Sequence, residues 1–260
     1  MGRLVLAEGG TFTPPGAKDF DLPAIFAGVT KPMIMVVLSI VIIAAFFLLA
    51  TRKLAIVPSK YQFITESVYD FGRNNIARAQ IGSKEFRPYL PLVLALFTFT
   101  LVNNIFGIIP IFQFPTFAHI GFPIALSVFV VFPVYHIVGI RKFGLGKYLK
   151  KSVMPPGIPK PVYLLLTPIE IFLRFFMDPI TLAIRVFAAM FAGHLILLVF
   201  TLGGEYLLTE AGWALKPVSL VAFVMAIAMT FLEALIQVLQ AYIFALLSAG
   251  YIGTALAEDH

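Results

Sequence analysis

The stretch ITLAIRVFAAMFAGHLI, residues 180–196, reads as membrane-buried helix except at two positions, Arg185 and His194. Its apolarity decides the fold, and its one arginine decides what to look for next. At mid-bilayer an arginine costs about 2.5–3.5 kcal/mol on insertion scales, and its guanidinium does not escape by losing a proton. A counter-charge must offset that cost.

The rest of the chain has the same solvent. Of 260 residues, 60% are apolar and 12% charged, with a mean hydropathy of +0.96; soluble domains carry roughly 25% charge. An all-α integral membrane protein is expected, as a single polytopic domain over residues 1–260. With no cysteine, disulfides, thiolate metal sites and cysteine nucleophiles are excluded. Four scattered histidines offer no metal cluster, so neither metal nor cofactor is expected. The net charge of +6 sits in membrane-flanking loops, without a glycine-rich phosphate loop or an aromatic-basic array, so no nucleic-acid partner is expected.

Uncharged runs act as a ruler, because a helix crossing a ~30 Å hydrocarbon core needs about 20 apolar residues. Residues 33–51 make a first span behind an N-terminal segment, 1–31, whose apolar run is too short for a signal peptide. Between Arg87 and Arg141 lie 53 uncharged residues (88–140), interrupted by Pro110, Pro115 and Pro123. They suit a helical hairpin turning near 111–122. Two longer segments follow, about 162–202 and 217–257, each near 41 residues. A straight helix of that length measures roughly 60 Å, and no polar turn interrupts 217–257. Each is read as one long, strongly tilted crossing, the two forming a hairpin over 162–257. Residues 58–82 carry Tyr61, Ile64, Val68 and Phe71 at three-four spacing, which predicts one interfacial amphipathic helix beside about five crossings.

Loop charge sets the orientation. Residues 52–87 hold seven Lys or Arg against three acids, and 141–160 hold six bases and no acid; the positive-inside rule makes both cytoplasmic. The N-terminus is then outside and the C-terminus cytoplasmic.

The intramembrane charges carry the functional signal. Glu170, Arg174 and Asp178 are spaced four and four, so they stack on one helix face, and Arg185 lies seven residues further along nearly the same stripe. Ala188, Ala189 and Ala192 flank Arg185 at i+3, i+4 and i+7, small enough for another helix to come close. Two readings stay open: Arg185 pairs internally with Asp178 or Glu233, or its counter-ion belongs to a moving partner. His194, nine positions on, falls on the opposite face. Glu233 lies midway along the other long segment, with Gln237 and Gln240 at i+4 and i+7. A lone buried histidine is more often structural, but two titratable groups with a polar stripe suggest a proton relay.

This pattern resembles subunit a of the rotary F-type ATP synthase, from about residue 33 to the end. DPITLAIRVFAAMFAGHLI (178–196) is similar to the family's arginine-helix signature, EALIQVLQAYIFALLSAGYI (233–252) to its last helix, LVNNIFGIIP (101–110) to its third-helix signature, and TPIEIFLR (167–174) to the start of its penultimate helix. The resemblance implies a non-catalytic proton-translocating stator subunit in an energy-coupling, bacterial plasma membrane. Its implied partners are the ring of c subunits, the peripheral stalk subunit b and the rest of the synthase. It makes Arg185 the arginine facing the ring's carboxylates and puts Gln240 near it. His194 and Glu233 become the acid–histidine pair of the proton path, and Glu170 and Asp178 are expected at the cytoplasmic exit. The chain departs from many members at Ala188-Ala189, where a polar residue is common, and near PTFAHIGFP (115–123), where many bacterial members carry acids and amides. The competing reading is a self-contained proton-coupled secondary transporter, whose repeated halves and broken helices have no counterpart in this sequence.

Overall fold

A computed structural model of the protein describes residues 12–20, 23, 25, 28–52, 54–154 and 160–257. The first eleven residues of the segment expected outside, and 155–159 of the basic loop, lie beyond the described residues. Among the described residues, five helices are long and apolar enough to cross a membrane: Lys31–Thr51, Arg87–Ile105, Gly121–Phe143, Val162–Thr209 and Trp213–Leu256. These first to fifth spans agree with the uncharged runs. Their ends fall where Pro32, Pro88 and Pro91 open a first turn, positions that need no backbone N–H donor.

The fourth and fifth spans have 48 and 44 residues, roughly 70 and 65 Å at helical rise. They run antiparallel through the most extensive helix contact of the molecule, and the second span packs against the fifth. Twice the hydrocarbon thickness, they fit a bilayer only when oblique. The main apolar core gathers Val93 and Phe97 of the second span, Tyr135 and Val138 of the third, and Ala241, Ala245, Ala249 and Ile252 of the fifth. Three stretches depart from α geometry into π-helix: Phe71–Ala77, Leu126–Val131 and Leu173–Met177.

The segment 58–82 is helical as expected, over Lys60–Asp70 and on to Ile81. Tyr61 and Ile64 are exposed, the arrangement of an apolar side available to lipid, whereas Gln62 and Thr65 are buried against the protein. Gln62 closes the preceding loop, accepting from Ala55 N at 3.3 Å and donating to Ala55 O at 3.1 Å. Further on, Ile76 and Ala77 are fully buried in the main core, and the fifth span touches the last turn. A Cβ on Gly253 would come within 2.2 Å of Gln80 O, so only glycine fits that crossing.

The basic loop also holds a helix not expected from its charge, Leu145–Val153. Its Tyr148 ring lies where a Cβ on Gly139 would stand, and Tyr148 Oη lies 2.7 Å from His136 Nδ1. Burial pushes the Tyr148 phenol up. Lys142 donates to Leu256 O at 2.8 Å and Lys151 to Ala257 O, two cations on the C-terminus of the fifth span, where the helix dipole favours them. One end of the bundle thus carries the basic segments and the C-terminus. The other carries residues 12–20 and 28–30, the 106–120 turn and the 210–212 connection.

Candidate functional site

Arg185 sits near the middle of the fourth span and is exposed, with Ala188 and Ala192 exposed on the same side and Ala189 half-buried. No ion pair joins it to any of the described residues. Of the two readings left open by spacing, internal pairing with Asp178 or Glu233 is therefore absent from the geometry, and Arg185 is exposed on an alanine-lined face.

Behind that face, roughly 13 Å further along the helix, His194 is buried at 5% exposure and faces Glu233, buried at 3%. His194 Nδ1 lies 3.4 Å from Glu233 Oε1. That is ion-pair distance without hydrogen-bond geometry, and Nδ1 and Glu233 Oε2 have no hydrogen-bond partner in the protein. Glu233 Oε1 accepts from Gln237 Nε2 at 3.1 Å, and the backbone carbonyl of Gln237 accepts from Asn104 Nδ2 at 3.1 Å. The second span adds Asn103, which donates to Ser39 Oγ at 2.9 Å. Gln240 is buried with its Nε2 unpartnered and makes no hydrogen bond to Arg185. Buried polar atoms without partners are expensive in an apolar medium, so their grouping around one titratable pair marks a place for water or a transferable proton.

Glu170, Arg174 and Asp178 lie towards the basic end. Arg174 Nε pairs with Glu170 Oε2 at 3.2 Å, but no ion pair joins Arg174 to Asp178 among the described residues. The π-helical stretch Leu173–Met177 lies between them and breaks the regular stripe that four-four spacing implies. Its carbonyls are served by the third span: Tyr135 Oη donates to Arg174 O at 3.0 Å, and Ser127 Oγ to Pro179 O just beyond at 2.5 Å. The three charged side chains line a cavity of ≈ 280 Å³ with Tyr135, Tyr148 and Tyr251.

Sequence reasoning placed Arg185 and His194 on opposite faces and grouped His194 with Glu233, leaving an Arg185–Glu233 pairing open. It left Asn104 and the three tyrosines unassigned. Gln237 was visible from its i+4 spacing to Glu233; Asn104 meets Gln237 across 133 residues, a separation for which no local pattern gives a signal. Among the described residues no group of three or more His, Cys, Asp or Glu could hold a metal ion.

Fold and site together define a polytopic helical membrane protein with titratable groups buried inside its spans and one cation turned outward. Residues 33–253 match the family ATP synthase A chain. The chain is 46% identical to ATP synthase subunit a of a Nocardioides species over 268 residues, covering 98% of this chain and 96% of the relative. Against subunit a of Pseudarthrobacter chlorophenolicus it is 46% identical over 261 residues, covering 98% and 97%; against that of Streptomyces lividans, 37% over 259 residues, covering 97% and 91%. The chain belongs to the ATP synthase A chain family. Membership makes it a membrane component of an ATP synthase complex, in proton transport for ATP synthesis.

Proposed function

We propose that this chain is the stator subunit that conducts protons to and from the rotor of an F-type ATP synthase, in a bacterial plasma membrane with its N-terminus outside. The observation that carries the reading is the exposed, unpaired Arg185 on its alanine-lined face. Its counter-ion is a carboxyl on each subunit of a c-ring that turns past this face, while the peripheral stalk, including subunit b, holds the chain still. A carboxyl surrounded by hydrocarbon keeps its proton and gives it up beside a fixed cation, so Arg185 triggers release. Because its charge never switches off, it also repels protons that would leak directly between the two access paths, and leakage would uncouple flux from rotation. Each charge crossing the membrane potential yields about 2.3 kcal/mol per 100 mV, so several crossings are needed for each ATP.

His194 and Glu233 form the heart of the outer half-channel, and Gln237 and Gln240 continue it down the fifth span towards the level of Arg185. Glu170 and Asp178, in the cavity at the basic end, serve the cytoplasmic half-channel. Because the chain has no cysteine, single cysteines at positions 184 and 188 test the rotor contact directly. Oxidation of the assembled complex is expected to cross-link them to a cysteine placed beside the carboxyl of the small ring subunit. No cross-link at either position in an intact complex would overturn the reading. A self-contained transporter would instead move protons when reconstituted without the ring.

A further inference from the structure

One side chain at the N-terminal end behaves unlike its neighbours. In the short turn Ala17–Phe20, residues 17–19 are exposed, yet Phe20 is only 3% exposed. Its ring lies 4.8 Å from Phe191, 6.3 Å from Phe114 and 5.9 Å from the imidazole of His194, which it meets at a steep 69°. Phe20, Phe114 and Ala118, with Leu195 and Leu198 against them, make an apolar cluster on the His194 side of the titratable pair. Both arms of the cluster are tied: Asp19 accepts from Gly16 N at 2.6 Å, and Lys31 Nζ donates to Phe112 O at 2.5 Å.

The Glu233 side has the opposite chemistry. Gln237 and Asn104 lead away from Glu233, and Asn104 Oδ1 and Glu233 Oε2 are buried without hydrogen-bond partners in the protein. Polar groups of this kind draw water in, while a packed phenyl ring excludes it.

We propose that Phe20 is a positioning residue for proton transfer: it seals the His194 side of the pair, so that protons arrive past Asn104 and Glu233 exchanges with the outside before His194 does. The proposal rests on the reading of this pair as the outer half-channel. His194→Cys or Glu233→Cys gives a single thiol in this subunit, and its reaction with a charged, membrane-impermeant thiosulfonate is followed from each side of oriented vesicles carrying the whole complex. From outside, position 233 is expected to react faster than position 194. Phe20→Ala should raise the rate at 194 by at least about tenfold, as when a local closure is lost, and leave 233 within about twofold, while Phe20→Leu keeps 194 slow. Labelling from outside at rates indifferent to Phe20→Ala overturns the proposal alone. Labelling of both thiols only from the cytoplasmic side overturns the half-channel reading and the proposal with it.

Discussion

Two arginines stand eleven residues apart on the fourth span (174 and 185), and they are treated oppositely. Arg174 has Glu170 at 3.2 Å one turn away, Asp178 and three tyrosines around its cavity, and a place near the basic end. Arg185 has alanines beside it and no ion-pair partner among the described residues. A cation that serves the fold is given its counter-ion by its own helix. On the proposed reading, the one left exposed and unmatched takes its acid from another molecule.

That contrast can be broken by experiment. Arg185→Ala should lower coupled ATP synthesis in inverted vesicles by at least about a hundredfold, since it leaves the partner's carboxylate unmatched in a low dielectric, while the complex still assembles. Retained synthesis would remove the reason for the contrast. Replacing His194 or Glu233 by Leu should cost about tenfold to a hundredfold, the range for losing a positioned proton-transfer group. Exchanging the two residues should cost less than either replacement, because the pair survives; equal losses in all three variants would argue against a coupled pair. Ala188→Leu should slow synthesis by about tenfold by holding the rotor helix away from the small-residue face, with cross-linking at position 184 falling in parallel. Arg174→Gln should have the smallest effect, about twofold, because a half-exposed i,i+4 pair contributes only ~0.5 kcal/mol. A loss as large as that of Arg185→Ala would erase the distinction between the two arginines.

Much of this was legible in the sequence because a bilayer imposes simple rules. Span positions followed from uncharged runs, and the opposite faces of Arg185 and His194 followed from nine residues at 100° each. What escaped has physical causes. The helix at 145–153 is short and rich in lysine, and it is held in place by Tyr148 meeting Gly139 and His136, contacts that no periodicity reports. In the 60–81 helix, spacing gave the apolar row through Tyr61 and Ile64 but not the inward Gln62, which satisfies backbone groups at Ala55. The polar path from Glu233 to Asn104 joins residues far apart in the chain. Regular spacing also promised an Arg174–Asp178 pair that the π-helical stretch interrupts.

That same stretch sets a timing. Each residue added to or removed from a helix swings everything beyond it by about 100°, and a π turn accommodates one more residue than an α turn. The fourth span therefore acts like two shafts keyed with an offset at 173–177, the first half clamped through the Tyr135–Arg174 bond, the second aiming its guanidinium. Deleting one apolar residue there would leave every charge in the chain present and yet turn the guanidinium away from the side on which the proposed rotor runs.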